Sequence, residues 1–112
     1  MSSQDRLWRK TRSHPNVTTD CAGVDLNRNW PYKWGETPGV STDPCSVIYG
    51  GPKSESEPEV QAVVQFLRDH RDVIKSYVAF HSYSQLWMMP FSHTDRKPED
   101  YPELVSILIP NT

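Results

Sequence analysis

A chain of 112 residues with 36% hydrophobic side chains has the size of one small domain and permits a modest core. Its 12 basic and 14 acidic residues are well mixed and leave a formal charge of −2, so nothing suggests a nucleic-acid or anionic-membrane surface, and any basic chemistry must be local. No apolar run approaches the length of a membrane span, and the start, MSSQDRLWRK, lacks the apolar stretch of a signal peptide. The expectation is a chain that stays inside the cell or one whose beginning is missing.

Residues 5 to 12, DRLWRKTR, read as a short strand or an irregular approach, and residues 13 to 23 as a polar loop. Arg6, Arg9, Lys10 and Arg12 form a basic cluster whose ordinary meaning is a solvated face, although Trp8 beside Arg9 could hold a guanidinium rigid. Cys21 and Cys45 enclose a stretch rich in Pro, Gly and Trp. That suits a disulfide closing a long irregular loop, the alternative being two unrelated thiols of an intracellular protein. With the glycosylation acceptor pattern Asn16-Val17-Thr18, the cysteine pair leans towards secretion.

GVDLNRNW places Arg28 between Asn27 and Asn29 directly after an apolar-to-polar transition. A guanidinium fork pairs both oxygens of a carboxylate and an asparagine amide adds a third donor, so the cluster could grip a terminal carboxylate. A structural pair of Arg28 with Asp25 is an equal alternative. From Asn29 to Lys53 the prolines and glycines punctuate regular structure repeatedly, while Trp30, Tyr32, Trp34 and Tyr49 argue against disorder. A long ordered loop follows, of the length that is usually functional.

Ser56-Glu57-Pro58-Glu59 fits a capping box, with Ser56 as N-cap and Glu59 reaching back. Val60, Val63, Val64 and Leu67 then recur at i, i+3, i+4 and i+7, with Gln61, Gln65, Arg68 and Asp69 facing away, which predicts a helix to about His70. Tyr77-Val78-Ala79-Phe80 and Leu86 to Phe91 are β-prone runs. A helix leading into a nearly all-apolar strand predicts an α/β layer with a buried sheet, and the even spread of prolines predicts one unit. His81 ends the first of these runs, where the ordinary reading is a satisfied core or strand-end histidine, with Ser82, Tyr83, Ser84 and Gln85 satisfying backbone groups at the strand end. No H-x-x-E, H-E-x-x-H or C-x-x-C pattern supplies it with partners.

Taken together and in order, RLWRKTRS, CAGVDLNRNW, PCS, SESEPEV and FHSYSQL are similar to segments of the zinc metallocarboxypeptidases of the digestive A/B type. The combination of GVDLNRNW with HSYSQ is the specific part, and the resemblance covers residues 5 to about 92. It implies a partial catalytic domain over residues 1 to 112, with a divergent tail from 93, and a fragment of a mixed central β-sheet flanked by helices. It implies that His81 is the third zinc ligand and that Arg9 polarises the scissile carbonyl and stabilises the oxyanion. Asn27 and Arg28 match the pair that binds the substrate's terminal carboxylate, Ser82 and Tyr83 match positions lining the approach, and Cys21 and Cys45 match a family disulfide.

The implied activity of the complete enzyme is zinc-assisted hydrolysis of the C-terminal peptide bond. The implied protein is secreted and monomeric, acts on peptide or protein C-termini, and has no nucleic-acid or membrane partner. The family's H-x-x-E ligands, catalytic glutamate and mobile tyrosine match no residue here, so this chain alone is expected to be inactive. The alternatives are a non-catalytic module that binds peptide C-terminal carboxylates and a small disulfide-stapled structural domain.

Overall fold

The computed structural model describes residues 6–13, 20–36 and 38–108. The Asn16-Val17-Thr18 triplet lies outside them. The chain divides into two compact units, residues 1–76 and 77–112.

In the first unit, residues 9–13 run beside residues 23–25. The Thr11 amide donates to the Val24 carbonyl at 2.9 Å, the Gly23 amide to the Ser13 carbonyl at 2.7 Å, and the Val24 amide to Thr11 Oγ1 at 2.9 Å. Only glycine fits position 23. Its φ is +82°, and a Cβ there would lie 1.9 Å from the Thr11 carbonyl oxygen. Asp25 then caps a single 3-10 turn, Leu26–Arg28, by accepting the Asn27 amide, as an Asp at an N-cap does.

The described residues between 29 and 53 follow as a succession of turns, in line with the expected loop. The Asp25 amide donates to the Tyr49 carbonyl at 2.8 Å, and an isolated parallel bridge joins Ser41 to Tyr49. Cys21 and Cys45 are joined in a disulfide with their Cα atoms 5.1 Å apart. In chain-entropy terms, closing a loop of this length stabilises the fold by about 3 kcal/mol.

Helix α1 spans Pro58–Asp69. It starts by a different device from the expected capping box. Pro58 occupies the first turn, where its missing N–H leaves nothing unsatisfied, and Glu57 takes the N-cap position without a side-chain cap. The Ser56 hydroxyl cannot cap because it is already held by Asn29 Nδ2 at 3.0 Å, while Asn29 Oδ1 accepts the Glu57 amide at 3.2 Å. Val60 and Val64 are buried and Leu67 partly so. Val63, expected on the same stripe, is exposed because the inward face is narrower than the sequence period suggests. Ala22, Val24, Tyr49, Val60 and Val64 make the apolar core, and Asp25, Asn29 and Glu57 are buried with them.

The second unit contains helix α2, Tyr101–Leu108, in the stretch where the sequence suggested only a divergent tail. Its element content differs from the α/β expectation. Neither Tyr77 to Phe80 nor Leu86 to Phe91 forms a ladder, and no strand occurs among the described residues. The physical reason is pairing: β-prone runs become strands only against a neighbour that takes their N–H and C=O groups. Here Phe80 is 91% exposed, and Val78, Leu86, Trp87 and Met88 are exposed with it.

Candidate functional site

The candidate residues of the first unit converge on Asp25. Arg9 Nε donates to Asp25 Oδ2 at 2.8 Å, the Arg9 side chain being half-exposed and that of Asp25 buried. Asp25 Oδ1 accepts the Asn27 amide at 3.1 Å, and the Asp25 carbonyl accepts the Arg28 amide at 2.9 Å. The basic cluster is thus partly structural. The partner of Asp25 is Arg9, sixteen residues away, and not Arg28, three residues away. Trp8 holds Arg12, whose guanidinium carbon stands 4.0 Å from the ring centroid, rather than Arg9.

Arg28 is fixed by backbone oxygens. Its Nε donates to the Gly39 carbonyl at 2.8 Å and its Nη1 to the Asn27 carbonyl at 3.0 Å. These bonds orient the guanidinium without neutralising it, and Nη2 belongs to neither. Asn27 is exposed beside it. Such a pair presents fork and amide donors to an anion, the chemistry that recognises a carboxylate. Asn29, the second amide of the motif, does something else. It is fully buried, and its two Nδ2 hydrogens are shared among the Gly50 carbonyl at 2.7 Å, the Lys53 carbonyl at 3.0 Å and Ser56 Oγ.

Glu57 is the buried carboxylate that the sequence left as an ordinary helix start. Its Oε1 accepts from Thr11 Oγ1 at 2.6 Å and from the Ser13 hydroxyl, and Ser56 Oγ stands 3.4 Å from Oε2. It ties the Arg9-bearing segment to the start of α1. The signal available in the sequence was Thr11 and Ser13 ahead of an acidic helix start, which is too common to single out. Two titrating groups border this network. Burial lowers the Lys10 ammonium below its ordinary value, opposed by the charges of Asp43 and Asp25, and Lys10 donates to the Pro44 and Ser46 carbonyls. Burial, with the Glu57 charge as a smaller cause, pushes the Tyr49 phenol up.

His81, Ser82 and Tyr83 lie in the second unit, consecutive and exposed, with Tyr83 95% exposed. Among the described residues no three His, Cys, Asp or Glu side chains are grouped so that they could hold a metal ion. A catalytic zinc takes three protein ligands and one open position, so the described residues do not fit a complete zinc site, and His81 is at most one member of one.

The family described as zinc carboxypeptidase matches residues 1–110, past residue 92 where the motif resemblance fades. Mast cell carboxypeptidase A of Mus musculus is 43% identical over 105 residues, which are 94% of this chain and 25% of that protein. Carboxypeptidase B of Astacus astacus is 47% identical over 102 residues, 91% of this chain and 33% of that protein. Among solved structures, bovine thrombin-activatable fibrinolysis inhibitor in complex with tick carboxypeptidase inhibitor is similar with a TM-score of 0.80 at 45% identity, covering 91% of this chain and 34% of that one. The chain therefore spans a quarter to a third of the length of these relatives. With a family match across nearly its whole length and a backbone that follows the same fold, this chain belongs to the zinc carboxypeptidase family.

Proposed function

We propose that this chain is the part of a secreted zinc carboxypeptidase that recognises the C-terminal end of a peptide. The observation that carries the reading is the junction at Asp25, where one buried carboxylate orders Arg9 and the Asn27–Arg28 turn together. In this reading Asn27 and Arg28 hold the terminal carboxylate, which confines cleavage to the last residue. Arg9 donates to the scissile carbonyl oxygen and stabilises the negative charge that develops on it. Ser82 and Tyr83 line the approach of the upstream residues. His81 contributes one imidazole to a zinc site whose other members lie outside the described residues.

The same reading gives Tyr77 to Phe80 and Leu86 to Phe91 their place as strands of a mixed central sheet flanked by helices. Their apolar side chains are those of a buried sheet. The disulfide agrees with an oxidising compartment and so with secretion. The expected partners are peptide and protein C-termini, bound by a monomer, and residues 1 to 112 form part of one catalytic domain.

A second reading has its own observation. Arg9, Asp25, Asn27 and Arg28 all belong to the first unit and are fixed by bonds within it. A non-catalytic module that binds C-terminal carboxylates would need nothing more. One titration tests what both readings share: the chain is expected to bind benzoyl-glycyl-phenylalanine and to lose that binding when the terminal carboxylate is amidated. Equal binding of acid and amide overturns both, and binding of neither overturns the module. The intact mass of the native protein, captured through the Tyr77 to Trp87 peptide, separates them. A mass far above 12.9 kDa supports the peptidase, and a mass near that value supports the module.

A further inference from the structure

The proposed site has two arms, one acting on a carbonyl and one on a carboxylate. In this chain they share a single anchor. Asp25 has no spare oxygen: Oδ2 takes Arg9 Nε at 2.8 Å and Oδ1 takes the Asn27 amide at 3.1 Å. Its backbone is fixed as well, the amide on the Tyr49 carbonyl and the carbonyl on the Arg28 amide. With its side chain only 3% exposed, the carboxylate cannot turn to water when one partner moves. Displacing Arg9 must therefore disturb the Asn27–Arg28 turn, and loosening the turn must disturb Arg9.

We propose that Asp25 is a positioning residue that makes Arg9 and the Asn27–Arg28 turn respond as one unit to a peptide's carboxylate end. The proposal rests on the reading of Asn27 and Arg28 as carboxylate-binding groups. Asp25 touches no ligand itself. The bond to Arg9 uses Nε, so both Nη groups stay outside the pair and remain directed by it. A free arginine side chain carries large rotamer entropy, and a clamp at Nε removes most of it before a ligand arrives. Arg28, by contrast, is oriented by Gly39 and the Asn27 carbonyl, so Asp25 reaches it only through the turn.

The test is a double-mutant cycle on the 112-residue chain, with benzoyl-glycyl-phenylalanine and its amide as probes. Asp25→Asn keeps the side-chain shape and an acceptor for the Asn27 amide but loses the charge that holds Arg9. It is expected to weaken binding of the acid about tenfold, within the range of couplings between residues in contact. Arg9→Ala is expected to weaken it by a similar factor, and the double variant no more than the worse single one. Arginine-labelled NMR supplies a second readout. The Arg9 Nε–H resonance should move to a solvent-exchanging position in Asp25→Asn, and the Asn27 amide and Arg28 Nε–H resonances should shift with it.

If Asp25→Asn does not fold, Arg9→Ala at its half-exposed site still decides the point. The Asn27 amide resonance must shift and acid-over-amide preference must fall. Additive losses in the cycle, or an Asn27 amide unmoved by Arg9→Ala, overturn the proposal alone. A wild-type chain that does not distinguish acid from amide overturns the binding reading and the proposal with it.

Discussion

The two units use their side chains in opposite ways. In residues 1–76 the interior is rich in polar groups that are fully engaged: Asp25, Asn29 and Glu57 are buried and every one of them bridges segments distant in sequence. Among the described residues of 77–112 none is buried, and Val78, Phe80, Trp87 and Met88 are exposed. A compact fold of loops can be held by hydrogen bonds and one disulfide if each polar group has a partner. A β-prone segment has no such option, because its own backbone groups need a neighbouring strand. The lesson is that a loop-rich region can complete itself locally while a β-prone one cannot.

The strongest way to break this contrast is to remove a polar bridge from the first unit. Asn29→Ala takes away an amide that serves the Gly50 and Lys53 carbonyls, Ser56 Oγ and the Glu57 amide. At about 1–3 kcal/mol for each buried group left unsatisfied, the expected loss is about 4 kcal/mol, read from urea unfolding. Gly23→Ala should fall in the same range, because a methyl group 1.9 Å from the Thr11 carbonyl forces apart the pairing of residues 9–13 with 23–25. A loss below about 1 kcal/mol in Asn29→Ala would mean that the polar interior is not what holds this unit.

The disulfide comes next. Cys21→Ser with Cys45→Ser is expected to cost about 3 kcal/mol, again by urea unfolding, because the loop it closes no longer restricts the unfolded chain. Residues 22–29 should then lose hydrogen-exchange protection together, since the Val24 and Asp25 bonds to Thr11 and Tyr49 dock the tethered segment 21–45 onto the chain on either side of it. Retained protection there would show that the hydrogen bonds suffice without the staple.

How much of this could be read from the amino-acid sequence depends on how local the cause was. Helix α1 was legible to within a residue or two because its valine spacing and Pro58 are local signals. The disulfide and the ordered loop were legible from composition and from the family resemblance. The partner of Asp25 was not: the near choice was Arg28, and the observed one, Arg9, comes from a pairing of two segments that no local pattern announces. The same holds for Asn29, which reads as a second ligand-binding amide but is spent on backbone carbonyls. Ser56 gives up the expected N-cap position to Glu57 for the same reason. The strands were expected from propensity, and propensity alone does not supply a partner.

A smaller effect should appear at alkaline pH. The Tyr49 phenol is buried and its pKa is raised, so the folded state holds its proton more tightly than the unfolded chain does. That stabilisation is fully present below the unfolded value of about 10 and is lost as pH rises through the folded one. Lys10 works in the opposite sense. Its lowered pKa means that stability rises with pH from its folded value towards its ordinary one, which partly cancels the tyrosine loss. Tyr49→Phe should therefore remove a fall in thermal midpoint above pH 10 and expose the rise due to Lys10. An unchanged pH profile would place the alkaline sensitivity elsewhere.

The smallest expected effect is the one that tests the other side of the contrast. Phe80→Ser, Tyr83→Ser and Trp87→Ser replace aromatic side chains that in a packed core would each cost about 3–5 kcal/mol to remove. In this chain they are exposed, so each change should stay within about 0.5 kcal/mol. The same three changes should reduce self-association measured by sedimentation, because an uncovered run of aromatic and aliphatic side chains is the surface through which copies of the chain would meet. If instead any of them destabilises the chain as a core residue does, the second unit packs its apolar face after all. The division between a self-sufficient first unit and an uncovered second one would then have to be withdrawn.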